Sequence, residues 1–320
     1  MKINYFFLVM TLGIHSAWGQ VSTPEDRFSP VQADKGMVVT SEPLATQAGV
    51  TVLKQGGNAI DAAVTIGLVM AVTYPGAGNL GGGGFMLIHQ GKTGKTVAVD
   101  YREQAPGQAR RDMFIGSNGK VDPKLSRFSH LAAGVPGTVA GLALALEHYG
   151  TLSLAQALAP AIQLAENGFE VTPALSAAFK RRAKTLKRWP ASRAIFFKNQ
   201  DQFYEPGDLW RQPDLAKTLK LLAQQGPKAF YQGKIAQLIV DTMQHHQGLI
   251  TKTDLAAYQA VLRTPVWGRY REYEICSMPP PSSGGIHIIQ ILNMLEHYDL
   301  GFLGHNRSTT IHLMAEAMKR

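Results

Sequence analysis

Met70-Ala71-Val72-Thr73-Tyr74-Pro75-Gly76-Ala77-Gly78-Asn79-Leu80-Gly81-Gly82-Gly83-Gly84-Phe85-Met86-Leu87-Ile88 decides the architecture, because it fixes the order of elements around a glycine run. Gly76-Ala77-Gly78-Asn79-Leu80-Gly81 is a literal G-x-G-x-x-G, and Asp100 follows at about the 20-residue distance of a dinucleotide fingerprint. Such a site needs a strand before the glycines and a helix after them, because the helix N-terminus holds the pyrophosphate. Here an apolar helical segment comes first, and Phe85-Met86-Leu87-Ile88 reads as a strand. The reversed order argues against a nucleotide. It leaves a glycine-rich turn through which backbone packs closely against a neighbour or a ligand.

On the N-terminal side, Ser41 is placed to cap a helix whose first turn holds Pro43, with Leu44, Ala45, Ala48 and Val52 on its buried side and Gly56-Gly57 as its stop. Asn58 caps the next helix, with Asp61 in the place of a capping-box acid. That helix, 59–73, is apolar nearly all round, so it belongs between layers. On the C-terminal side, 85–88 and 96–102 are strand-like runs joined by Gly91-Lys92-Thr93-Gly94, a hairpin signal. From about 138 the chain turns helical, and strand character returns near 258–276. The class is α+β, helices stacked on an antiparallel sheet. Without internal repeats or low-complexity linkers, residues 20–320 are expected to form one domain.

Lys2, the apolar run from Tyr5 to about Ile14, and Ala17-Trp18-Gly19 form a signal-peptide pattern with cleavage before Gln20, so residues 1–19 are expected to be a leader. The run is too short to span a bilayer. The expected location is periplasmic or secreted. Cys276 is the single cysteine, so no internal disulfide forms, and its strand-like surroundings favour a packed thiol over a nucleophile. Apolar residues make up 45% of the chain, enough for a proper core, and the formal charge is +9. The densest basic run, Lys180-Arg181-Arg182-Ala183-Lys184-Thr185-Leu186-Lys187-Arg188, lacks the aromatic interleaving of a nucleic-acid module and reads as a solvated helix face. The histidines are scattered, and His245-His246 are adjacent rather than ligand-spaced, so no metal is expected.

Arg102 is the strongest functional candidate. In a strand over 96–102, Ala98, Asp100 and Arg102 share one face, and Val97, Val99 and Tyr101 the other. An arginine closing a strand beside a glycine turn suits a carboxylate held by two parallel hydrogen bonds. A structural pair with Asp100 or Glu103 is an equal alternative from the residues alone.

Several runs resemble, in order, the motifs of the γ-glutamyltransferase (γ-glutamyltranspeptidase, glutathione hydrolase) family. They are Val52–Val64, Asn79-Leu80-Gly81-Gly82-Gly83-Gly84-Phe85, Asp100-Tyr101-Arg102-Glu103-Gln104-Ala105-Pro106 and Gly134-Val135-Pro136-Gly137-Thr138, followed by Pro279-Pro280-Pro281-Ser282-Ser283-Gly284-Gly285 and Met314-Ala315-Glu316-Ala317. The resemblance covers almost everything after the leader. It implies an N-terminal-nucleophile hydrolase with an αββα sandwich, of which this chain is the large-subunit part. It also implies a precursor that cuts itself into a heterodimer with its own small subunit. The exposed threonine then attacks γ-glutamyl amides such as glutathione and passes the acyl group to water, amino acids or peptides. It implies no cofactor, and it assigns Arg102 to the α-carboxylate of the γ-glutamyl group.

In one respect the sequence departs from that pattern. The family's nucleophile follows the Met-Ala-Glu-Ala helix, whereas Ser308-Thr309-Thr310-Ile311-His312 precedes it and reads as the start of that helix. The catalytic threonine is therefore expected beyond residue 320, together with the oxyanion-hole glycines, and the sequence is expected to be a truncated portion of the precursor. Ser282-Ser283-Gly284-Gly285 reads as a structural loop after a proline run. The alternatives are a related glutaryl or cephalosporin acylase and a truncated, non-catalytic protein.

Overall fold

The computed structural model describes residues 30–199 and 201–320. The leader expected over 1–19 lies outside the described residues. Internal contacts divide the chain into residues 1–37 and 38–320. In the first unit, residues 30–37 are exposed and carry no helix or strand.

In the second unit, α1 (Pro43–Lys54) and α2 (Ala59–Thr73) lead into β1 (Phe85–Gln90) and β2 (Lys95–Asp100). A helical stretch follows: α3 (Pro123–Phe128), α4 (Thr138–Tyr149) and α5 (Leu154–Asn167). Short β3 (Phe169–Glu170) precedes α6 (Pro173–Leu186) and α7 (Pro190–Phe196), and β4 (Leu209–Trp210) precedes α8 (Pro213–Gln225), α9 (Lys228–Tyr231), α10 (Lys234–His245) and α11 (Lys252–Ala257). The chain then runs through β5 (Val261–Arg263), β6 (Val266–Tyr270), β7 (Tyr273–Ser277), α12 (Gly284–Leu295), α13 (Leu300–Leu303) and α14 (Ser308–Met318).

The cap of α1 differs from the expectation. Glu42, not Ser41, occupies the N-cap, and its carboxylate accepts from the N–H groups of Leu44 (3.1 Å) and Ala45 (2.7 Å). The longer side chain wins because it also takes the Thr73 hydroxyl at 2.7 Å, tying the start of α1 to the end of α2. Asn58 and Asp61 form the expected capping box of α2. Asp61 is fully buried and reaches further, accepting from Thr151 and Leu152 between α4 and α5.

Helix α2 packs against α1, α4 and α5. Val64, Leu68, Val69 and Val72 are at most 2% exposed, and each such side chain contributes about 1.5–3 kcal/mol on burial. Ile88 of β1 and Val99 of β2 belong to the same core as these residues and as Val139 and Leu142 of α4. In the same core an aromatic nest surrounds the fully buried Trp210, against Phe169, Phe179 and Phe196.

The main sheet is antiparallel in the order β1-β2-β5. The hairpin pairs Phe85 with Asp100 and Gln90 with Lys95; β5 places Arg263 opposite Ala98. Strand β2 stops at Asp100, two residues short of the expected end, because the chain leaves β5 and enters the glycine-rich turn's own hydrogen bonds. The β6–β7 hairpin pairs Trp267 with Cys276. Among the described residues no helix is long and apolar enough to cross a membrane.

Candidate functional site

Three segments converge just past β2. The first is the glycine turn, where Asn79 Oδ1 accepts the Gly82 N–H (2.9 Å) and the Thr138 hydroxyl (2.6 Å). The second is 134–138, whose Gly137 and Thr138 N–H groups both donate to the Gly82 carbonyl (2.7 and 3.0 Å). The third is 101–104. Tyr101 and Gly84 exchange N–H···O bonds (3.1 and 3.3 Å), and Gln104 and Val135 do the same (3.2 and 2.8 Å).

This packing explains the glycines. A Cβ on Gly83 would lie 2.5 Å from the Tyr101 carbonyl oxygen and 2.8 Å from the Glu103 nitrogen. A Cβ on Gly137 would lie 2.0 Å from the Tyr101 carbonyl oxygen. Neither position tolerates a side chain without moving backbone, so both are glycine for close approach, as the sequence suggests for the turn.

Arg102 sits exposed between these clamps, its guanidinium carbon 5.7 Å from the centre of the Phe85 ring, within cation–π range. The residue lies beyond β2 rather than on it. Of its two suspected structural partners, Glu103 forms no ion pair with it among the described residues, and Asp100 is committed elsewhere. Asp100 Oδ2 accepts from Arg263 Nε at 2.7 Å, and Asp100 Oδ1 accepts the Arg102 backbone N–H at 3.0 Å. Arg263 stands opposite Ala98, which shares a sheet face with Asp100, so the pair is a diagonal contact across β2 and β5. Among the described residues no carboxylate forms an ion pair with the Arg102 side chain. What the arrangement offers is a planar five-donor group on a pinned backbone, suited to a bidentate anion.

The remaining candidates are not brought to this site. Ser283 is the N-cap of α12 without a side-chain cap bond, and Ser282 Oγ accepts the Gly284 N–H at 3.3 Å. Thr309 and Thr310 lie in the first turn of α14, as the spacing predicts, and the Thr310 hydroxyl donates to the Gly304 carbonyl at 2.8 Å. Cys276 is half-buried in β7, and burial pushes its thiol pKa up, away from the thiolate a nucleophile needs. In the basic run, Arg181, Lys184 and Arg188 are exposed, Lys180 pairs with Glu205 and Lys187 with Asp201. Asn79 and Thr138 enter the sequence reading only as members of motif runs, with no role of their own; Tyr258 and Arg263 do not enter it, because their partners are 156 and 163 residues away and no local pattern marks them.

Residues 45–320 match the family model described as Gamma-glutamyltranspeptidase. The chain belongs to the gamma-glutamyltranspeptidase family. It is 52% identical over 296 residues to the glutathione hydrolase proenzyme of Escherichia coli (strain K12), covering 92% of this chain and 51% of that protein. It is 43% identical over 296 residues to the Acylase ACY 1 proenzyme of Pseudomonas sp. (strain V22), covering 91% and 53%. It superposes on the crystal structure of Helicobacter pylori gamma-glutamyltranspeptidase with a TM-score of 0.88 at 49% identity, covering 91% of this chain and 83% of that one. The chain spans about half the length of the curated relatives it matches. Likeness to gamma-glutamyltranspeptidases and acylases makes the fold the expected α+β N-terminal-nucleophile hydrolase sandwich, of which this chain supplies a part.

Proposed function

We propose that this chain is the large-subunit region, residues 20–320, of an exported γ-glutamyltransferase/glutathione hydrolase precursor, and that Arg102 receives the α-carboxylate of the γ-glutamyl group. One observation carries the reading. Asp100 is held by Arg263 and the Arg102 backbone, and neither it nor Glu103 forms an ion pair with the Arg102 side chain, which leaves the guanidinium fork for a ligand carboxylate.

In this reading residues 1–19 direct export to the periplasm or beyond. The precursor cuts itself beyond residue 320, and the freed threonine becomes the nucleophile of the small subunit. Its α-amine takes the hydroxyl proton as the oxygen attacks the γ-glutamyl carbonyl. The amine of the donor, cysteinylglycine in the case of glutathione, leaves with a proton. Water, an amino acid or a peptide then displaces the enzyme from the acyl group. The part played by this chain is to grip the non-reacting end of the donor, which holds the scissile amide in register with the nucleophile. The similarity to the glutathione hydrolase proenzyme supports this choice; the similarity to an acylase proenzyme and to the structure of a cephalosporin acylase supports a glutaryl or cephalosporin acylase as the second reading.

The test is to express the full-length protein, look for two chains on a denaturing gel, and compare glutamate release from glutathione with hydrolysis of a glutaryl amide. Two chains with preference for glutathione are expected. An uncleaved chain with no glutamate release contradicts the proposal, and so does glutamate release by residues 20–320 alone.

A further inference from the structure

The backbone of Arg102 is held by side chains rather than by a strand partner. Its N–H donates to Asp100, and its carbonyl accepts the Tyr258 hydroxyl at 2.8 Å. Tyr258 arrives from the C-cap of α11, 156 residues further along the chain. Its ring is stacked on Tyr231, with centroids 5.6 Å apart and planes 8° from parallel. The Tyr231 hydroxyl donates to the Pro136 carbonyl (3.0 Å) and accepts the Ala140 N–H (3.1 Å). The two stacked rings thus fasten Arg102 and the 134–138 turn to one support.

Both rings are 7% exposed. The Tyr258 hydroxyl passes through space that only glycine leaves open, since a Cβ on Gly137 would lie 2.0 Å from it. Burial, followed by Tyr231 and the carboxylates of Asp100 and Glu103, pushes the Tyr258 pKa up, so the hydroxyl stays a protonated donor through neutral pH.

We propose that Tyr258 is a positioning residue for substrate recognition: its hydroxyl fixes the Arg102 carbonyl and so sets the direction in which the guanidinium is presented to the donor carboxylate. The proposal rests on the reading of Arg102 given above. Two parallel N–H···O bonds depend on the plane and angle of the fork, so a backbone freed at Arg102 weakens the grip while the acyl-transfer chemistry at the far end of the donor is untouched. Ser176 supplies the control: it is a buried residue of α6 whose hydroxyl donates to the Tyr204 carbonyl at 2.8 Å, away from Arg102 and its supports.

The test is a double-mutant cycle on the full-length, self-cleaved protein, with kcat and KM measured for γ-glutamyl-p-nitroanilide hydrolysis in wild type, Tyr258→Phe, Arg102→Ala and the double variant. Losing one hydrogen bond predicts that Tyr258→Phe raises KM roughly three- to tenfold, with kcat nearly unchanged. In the Arg102→Ala background the same change leaves KM within roughly twofold, because no guanidinium remains to be aimed. Ser176→Ala lowers the melting temperature without raising KM. Tyr258→Met, also without a hydroxyl, replaces Tyr258→Phe if that variant does not accumulate. A Tyr258 penalty of equal size in both backgrounds, no penalty in either, or a KM rise of the same size from Ser176→Ala overturns the inference. An Arg102→Ala variant with unchanged KM overturns the carboxylate reading beneath it, and the positioning role falls with it.

Discussion

Removing the Asp61 carboxylate should loosen the joint between the start of α2 and the α4–α5 connection. Asp61 is fully buried and accepts from the N–H groups of Asn58 (2.8 Å), Thr151 (2.7 Å) and Leu152 (2.9 Å) and from the Thr151 hydroxyl (2.7 Å). These bonds join the start of α2 to the α4–α5 connection, about ninety residues away in the chain. In Asp61→Ala all four donors lose their acceptor. Thr151 is exposed and can turn to water, whereas Asn58 and Leu152 are half-buried. Two stranded N–H groups at about 1.5 kcal/mol each give a loss of about 3 kcal/mol. Spread over the entropy of a unit the size of Val38–Arg320, that is a fall in melting temperature of roughly 5 °C.

The pH dependence follows from the same contacts. Burial raises the carboxyl pKa, but the hydrogen bonds from Leu152, Asn58 and Thr151 together outweigh it and the net shift is downward. A group whose pKa is depressed on folding stabilises fully above its unfolded value, about 3.9, and loses that stabilisation as pH falls through the folded value. The gap between wild type and Asp61→Asn in thermal melts should therefore be full at neutral pH and shrink below about pH 4. An Asp61→Ala protein that melts within about a degree of wild type at pH 7 would refute the hydrogen-bond reasoning.

Gly137→Ala forces a methyl against the Tyr101 carbonyl and the Tyr258 hydroxyl, so it should cost about 2 kcal/mol or more in a denaturant titration; a neutral variant would mean that the 134–138 turn is not clamped as described. Cys276, half-buried with a raised pKa, should react with a disulfide reagent at pH 7 well below the rate of free cysteine, and equal rates would contradict its packed environment.

Much of the fold was legible because its signals are local. The Asn58–Asp61 capping box and the Gly91–Gly94 turn each span four residues, the all-round apolar character of α2 lies within its own 15, and the elements formed where those signals stand. The cap of α1 was misjudged by one residue because a competing contact decided it: Glu42 reaches Thr73, 31 residues away, and Ser41 does not. The end of β2 shows the same limit. Strand propensity runs on through Tyr101, but the partner strand β5 and the glycine turn determine where pairing stops. At the site, Arg102 stood out through its residue type and its neighbours. Its supports did not, because Tyr258 and Arg263 make contacts across 156 and 163 residues and carry no periodic mark of their own.

The central claim is that Arg102 grips the α-carboxylate of the donor. The direct measurement is kcat and KM for γ-glutamyl-p-nitroanilide in the full-length protein carrying Arg102→Ala. Losing a charge-assisted bidentate pair worth about 2–4 kcal/mol predicts a fall in kcat/KM of roughly 30- to 1,000-fold, most of it in KM. A KM within about twofold of wild type would contradict the account, because a pair of that strength cannot be lost without weakening donor binding.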